Sequence, residues 1–220
     1  MPGPRLIERG GFGMRVARLI KDYPDEWRAA TRHLFLDGVR EGSLPKGTFE
    51  TWLAPDYLFV RDLLVCQSRL LARLPRLAQP AVVSGLAALV DELGWFEEHA
   101  GSIELALDAP RHPSTDAYWE FMAGLEEMGY PARIVALWAM ERAYLEAWRS
   151  AAPGQPDCRP FVEHWTVPEF AGYVAALEAA ADAVLGGASG SEREEAGRAF
   201  LGVARLEREF WEMAFSGDEG

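Results

Sequence analysis

Four acidic residues sit where a helical pattern calls for hydrophobic side chains. Asp56 has Phe49 seven residues before it, with Trp52 and Leu53 four and three before. Phe59 and Val60 follow at three and four, and Leu63 at seven. Those spacings share one helix face, so Asp56 points with an apolar stripe toward a core. Glu92 lies in the same way among Ala88, Leu89, Trp95 and Phe96. Glu141 lies among Leu137, Trp138, Tyr144, Leu145 and Trp148, and Glu207 among Phe200, Val203, Phe210, Trp211 and Ala214. Burying an unpartnered carboxylate costs several kcal/mol, which rivals the net stability of a whole domain. For any one of them, a bond to an Arg, a Tyr or a Trp N–H is explanation enough. Four on separate helices, each beside large rings, favour one shared cavity between helices. Such a chamber suits a flat, nitrogen-rich heterocycle: the rings stack, and the acids accept hydrogen bonds from exocyclic amines and ring N–H groups.

A di-iron carboxylate bundle is the rival use of four such acids, and it needs Glu-x-x-His on two helices. Here the third residue after each acid is Phe59, Trp95, Tyr144 or Phe210, never His. Glu92 and His99 have a Glu-x6-His spacing, but no matching pair follows late in the chain, where His164 has only Glu163 and Glu169 nearby. A metal centre is therefore not expected. His33 is read as a helix-packing residue and His112, before Pro113, as a loop residue. Neither cysteine lies in a C-x-x-C spacing: Cys66 falls in an apolar helical stretch, and Cys158 in a Pro-rich loop. Ser-His-Asp spacings, a P-loop and a Gly-rich phosphate cradle are absent from the sequence.

The elements that must position these residues are helical, since apolar residues recur at three and four and rarely alternate. Seven helices are expected: Asp25–Arg40, Lys46–Leu74, Ala81–Ala100, Ser114–Met128, Pro131–Ser150, Val167–Leu185 and Ser191–Phe215. Glu41-Gly42-Ser43-Leu44-Pro45 ends the first, Pro75 and Pro80 follow the second, and a loop with Pro153, Gly154, Pro156 and Pro160 follows the fifth. Pro131 suits a first helical turn, and Ser191 with Glu194 has capping-box spacing. Met1–Gly13 reads as a disordered extension, with Met14 as an alternative start. Residues 1–20 are assigned to that extension and 21–217 to a single helical domain. With 220 residues, 49% of them hydrophobic, the chain can bury a large core. The net charge of −12 argues against an extended nucleic-acid footprint and against adsorption to anionic lipid. With no apolar signal region and no continuous apolar run of membrane-spanning length, a cytoplasmic protein is expected.

Several motifs, in order, resemble a known family. They are Ala30-Thr31-Arg32-His33, Gly42-Ser43-Leu44, and Phe49-x-x-Trp52-Leu53-x-x-Asp56-Tyr57-Leu58-Phe59-Val60. Asp91-Glu92-x-x-Trp95-Phe96, Trp138-Ala139-Met140-Glu141-x-x-Tyr144, His164-Trp165 and Leu206-Glu207-x-x-Phe210-Trp211-Glu212-Met213 follow. Together, from Trp27 to Phe215, they resemble the TenA/THI-4 (thiaminase II-like) family, in its cysteine-lacking TenA-E branch. The resemblance implies an all-α, haem-oxygenase-like helical bundle without haem or other cofactor. It further implies salvage of the aminopyrimidine half of degraded thiamin: hydrolysis of aminopyrimidine to hydroxymethylpyrimidine, or amide hydrolysis of the formylamino derivative of aminopyrimidine. Family members usually self-associate, so a homo-oligomer, dimer or tetramer, is implied.

Carried over residue by residue, Asp56 matches the acid that contacts the pyrimidine, and Phe59 an aromatic wall that is Tyr in cysteine-bearing relatives. Glu207 matches the acid that pairs with the pyrimidine and moves protons, Tyr144 a pocket Tyr, and Trp165 takes the place of another. The nucleophilic Cys of the other branch falls on Met140, which cannot attack carbon, so covalent catalysis and thiaminase activity are not expected. Glu141 is the branch's characteristic acid, and Glu92 is kept as a pocket residue. The mechanism expected from these residue types has Glu207 and Glu141 sharing proton traffic, one activating water while the other protonates the departing amine. Burial should raise at least one of their pKa values toward neutrality, with Asp56 remaining ionised. Two alternatives stay open at this point: a non-catalytic hydroxymethylpyrimidine-binding protein, and a metal-dependent oxidase on the same scaffold.

Overall fold

A computed structural model of the chain describes residues 15–45, 47–107 and 110–216, with residues 50 and 51 described for their backbone alone. Ten α-helices and one 3-10 turn, with no strand, make up the described residues. The helices are α1 Arg18–Asp22, α2 Pro24–Thr31, α3 Leu34–Glu41, α4 Thr48–Leu71 and α5 Gln79–Ser102. They continue with α6 Pro113–Gly124, α7 Tyr130–Ala151, α8 Arg159–His164, α9 Pro168–Gly187 and α10 Gly190–Ser216.

Helix α7 is the axis of the bundle. It packs against α10, α9, α3 and α2, while α4 packs against α5, α6 and α10. Its Ala132, Ala136, Ala139, Ala143 and Ala147 are fully buried, and such small side chains let neighbouring helices approach closely. Trp138 and Trp148 fill the spaces between them, and neither is exposed at all. The Trp27 ring lies 5.2 Å from Phe200 and 6.3 Å from Trp138, so stacked aromatics join α2, α7 and α10.

The count of seven helices is corrected to ten for three physical reasons. The expected Asp25–Arg40 helix is two helices, because Arg32 and His33 are extended, with φ of −139° and −152°. His33 is the N-cap of α3: its Nδ1 accepts the N–H of Phe35 at 3.1 Å, while Arg32 reaches back to the carbonyl of Thr31. Helix α8 forms inside the expected Pro-rich loop, with Pro160 in its first turn, where a missing N–H costs nothing. Val16 and Leu19 are buried, so packing begins before residue 21. Residues 1–14, with Met14, lie outside the described residues, as does Lys46.

Helix α3 ends as expected at Gly42, whose φ of 70° is left-handed, a conformation in which glycine carries no Cβ penalty. The capping box of α10 lies two residues earlier than expected. The Ser189 N–H donates to Glu192 Oε2 at 2.7 Å, and the Glu192 N–H donates to Ser189 Oγ at 3.3 Å. His112 is likewise a cap rather than loose loop, its Nδ1 accepting the Ser114 N–H. By length and composition alone α9 could cross a membrane; here Val174, Leu177, Ala181 and Leu185 face the bundle.

Candidate functional site

A cavity of about 550 Å³ opens between α4, α5, α7 and α9. Helix α4 contributes Phe59, Val60 and Leu63, α5 contributes Glu92 and Trp95, and α7 contributes Met140, Glu141 and Tyr144. Trp165, just past α8, and Tyr173 of α9 complete the inner wall. Six of the eight residues singled out from sequence therefore lie on one surface: Phe59, Glu92, Met140, Glu141, Tyr144 and Trp165. Asp56 and Glu207 are not on the wall but immediately behind it. The Tyr144 hydroxyl donates to Asp56 Oδ2 at 2.6 Å. Phe59 packs on Tyr118 with ring centres 4.7 Å apart, and the Tyr118 hydroxyl donates to Glu207 Oε1 at 2.6 Å.

Each of the four acids is held by neutral donors. Besides the two tyrosine bonds, Trp165 Nε1–H donates to Glu92 Oε1 at 2.6 Å, and Gln67 Nε2–H donates to Glu141 Oε1 at 2.9 Å. The Tyr173 hydroxyl lies 3.3 Å from that same Glu141 oxygen. Among the described residues no Lys or Arg forms an ion pair with any of the four, although arginines pair freely elsewhere. Asp56, Glu141 and Glu207 are buried, at 0%, 6% and 2% exposure, while Glu92 is partly buried.

Burial without a cation has a direct electrostatic consequence, because desolvation penalises the charged form. It pushes Glu92 up to about 7, against which the Trp165 bond acts. It pushes Glu141 up to about 8, aided by the nearby charge of Glu92 and opposed by the Tyr173 and Gln67 bonds. Glu207 also rises to about 8, opposed by Tyr118. Asp56 is raised well above the usual carboxylate range, by burial first and then by Glu92 and Glu207, with only Tyr144 opposing. Burial thus works against the ionised form expected of Asp56. Its Oδ1 is buried and has no hydrogen-bond partner.

The mouth of the cavity is aromatic. His164 stacks on Trp95 at 4.2 Å with planes 12° apart, and burial, then His99, pushes its pKa down to about 4, so it is neutral. His99 packs against the same indole at 4.0 Å, and its Nδ1 lies 2.8 Å from the Trp95 carbonyl. The Glu92–His99 spacing noted in the sequence is therefore used for packing. Among the described residues no three His, Cys, Asp or Glu side chains are grouped to hold a metal ion.

Sequence reasoning missed Tyr118, Gln67 and Tyr173 as partners of the acids. Gln67 left a signal, an amide on the apolar stripe of α4, and it is fully buried. Tyr118 and Tyr173 left none, because a tyrosine on a core face looks like any packed ring. Cys66 is partly buried, and burial pushes its thiol up to about 12, away from the nucleophilic thiolate.

Comparison with known proteins identifies the family. The family model described as TENA/THI-4/PQQC matches residues 21–217. A Glycine max protein named "Probable bifunctional TENA-E protein" is 28% identical over 86% of this chain and 87% of its own length. An aminopyrimidine aminohydrolase of Halalkalibacterium halodurans is 26% identical over 91% of this chain and 95% of its own. The X-ray structure of a TenA homologue from Pyrococcus furiosus superposes with a TM-score of 0.87 at 27% identity, covering 92% of this chain and 100% of that one. A match that runs through α2 to α10, and so through every acid of the cavity, places the chain in the TENA/THI-4/PQQC family.

Proposed function

We propose that this chain is a thiamin-salvage hydrolase that acts on aminopyrimidine or formylaminopyrimidine breakdown products of thiamin by cysteine-independent acid–base chemistry. One observation carries the reading: a chamber walled by Phe59, Tyr144, Trp165 and Met140 has Glu92 and Glu141 on its surface and Asp56 and Glu207 directly behind it, and among the described residues none of the four acids is paired with a cation. Relatives named for aminopyrimidine hydrolysis and for the TenA-E branch support it.

The pyrimidine stacks among the rings, with Glu92 and Glu141 on the wall to meet its polar edge and Asp56 acting through the Tyr144 hydroxyl. Burial lifts both Glu141 and Glu207 to about 8, and the charge of Glu207 opposes ionisation of Glu141, so the pair works as one carboxylate and one protonated acid. The ionised one takes a proton from water as its oxygen bonds to carbon. The protonated one delivers its proton to nitrogen as the carbon–nitrogen bond breaks, and ammonia leaves. Met140 lines this chamber where a nucleophile would stand, and a thioether carries no proton to lose and forms no stable acyl or alkyl intermediate under these conditions. A cytoplasmic, homo-oligomeric protein is part of the same proposal, and light scattering of the purified chain tests the assembly.

The direct test is steady-state release of ammonia from aminopyrimidine, and of formate from its formylamino derivative. Turnover of either supports the proposal. Binding of both with turnover of neither would make the chain a binding protein.

A further inference from the structure

Glu141 is held in an asymmetric way. Gln67 of α4 directs an amide hydrogen at Oε1 at 2.9 Å, the Tyr173 hydroxyl of α9 stands 3.3 Å from the same oxygen with one hydrogen to share between it and Gln67 Oε1, and Oε2 takes part in neither contact. The two clamping residues also touch each other, with the Tyr173 hydroxyl 3.3 Å from Gln67 Oε1. Gln67 is fully buried and does not line the cavity, whereas Glu141 and Tyr173 do. An uncharged amide on the core face of α4 is costly unless it is bonded, and its bond goes to the acid.

The clamp exists because α5 leaves it room. A Cβ built at Gly85 would collide with the Tyr173 hydroxyl, and would lie 2.6 Å from Tyr173 Cζ and 2.8 Å from Gln67 Oε1. Glycine in a helix interior ordinarily weakens the helix by about 1 kcal/mol relative to alanine. Here it lies mid-helix, opens a notch, and both polar groups occupy that notch.

We infer that Gln67 and Tyr173, seated in the notch at Gly85, are positioning residues that fix Glu141 with its donor-free oxygen Oε2 as the proton-bearing atom. An oxygen that accepts the Gln67 N–H and faces the Tyr173 hydroxyl cannot also carry the acidic hydrogen at low cost, so the proton resides on Oε2. The inference rests on the proposed hydrolase site and assigns Glu141 within it: this side chain is the one that hands its proton to the leaving nitrogen. The clamp also moderates its acidity. Both bonds favour the carboxylate and hold back the rise that burial imposes, so the acid stays near the operating pH.

The test is a titration of carboxyl-labelled [13C]glutamate in the whole protein by NMR, with Glu141→Gln identifying the signal. Wild type should titrate near 8. In Gln67→Met and in Tyr173→Phe the same signal should move upward by about one unit, since each loses a donor to the charged form. Gly85→Ala should move it in the same direction by displacing both. With aminopyrimidine, kcat of each variant should fall about tenfold to a hundredfold. KM should stay within about twofold, and the alkaline limb of the profile should shift upward with the titration. A merely structural role would leave the titration and that limb in place. Should Gln67→Met fail to fold, Tyr173→Phe is decisive, because it keeps the ring.

An unmoved Glu141 signal in the folded variants overturns the clamp, whatever the turnover. A shifted signal in a wild type that hydrolyses nothing sustains the clamp and sinks the hydrolase reading instead.

Discussion

Tyr118 of α6 and Glu207 of α10 meet at 2.6 Å, hydroxyl hydrogen to Oε1, where the two residues are 1% and 2% exposed. Through this bond, and through the packing of Tyr118 on Phe59, α6 reaches the chemistry described above. Removing the hydroxyl leaves a buried acceptor unsatisfied. Tyr118→Phe should therefore cost about 1–3 kcal/mol in denaturant unfolding. It should also push the Glu207 titration further above 8, because the lost bond favours the charged form.

Asp56 offers a contrast between shape and charge. Burial disfavours the charged form of Asp56, and an amide closely mimics the neutral form, with Tyr144 able to donate to either. Asp56→Asn should change unfolding stability by less than about 1 kcal/mol, whereas Asp56→Ala, which strands the Tyr144 hydroxyl, should cost about 1–3 kcal/mol. A large loss in the Asn variant would mean that the buried group is a carboxylate.

The sequence exposed the acids for a specific reason. A carboxylate on an apolar stripe violates the helical pattern, and Asp56, Glu92, Glu141 and Glu207 each do so visibly. All four surround one cavity. The donors were harder to see, because Tyr118 and Tyr173 satisfy the same pattern they serve. The helix break at Arg32–His33 was hidden similarly: it carries neither Gly nor Pro, and depends on a histidine cap whose geometry spacing does not announce. Helix α8 was masked by its prolines, which mark both loops and first helical turns.

Stability should fall as pH rises. Glu92, Glu141 and Glu207 have folded pKa values of about 7, 8 and 8, against ordinary values of 4.5. Between these limits the folded chain binds more protons than the unfolded one, so the stabilisation is complete below 4.5 and is lost as pH rises through 7 to 8. The midpoint of thermal unfolding should be higher at pH 5 than at pH 8.5. Glu141→Gln should flatten that dependence by removing one of the raised acids.

Met140→Cys should not create a thiamin-cleaving enzyme. A thiol at this buried place would be surrounded by acids, with no cation to favour the thiolate. Thiamin consumption by this variant should equal that of wild type, and slow reaction with an alkylating reagent at pH 7 would confirm a protonated thiol. Rapid alkylation would show that the chamber is electropositive.

The central claim is that buried acids of one chamber divide the proton work. It is tested most directly by ammonia release from aminopyrimidine in wild type, Glu141→Gln and Glu207→Gln across pH 5 to 9, beside calorimetric binding of the same ligand. The account predicts that each amide variant loses about a hundredfold or more in kcat while remaining folded and able to bind. Near-wild-type turnover in either variant would contradict it.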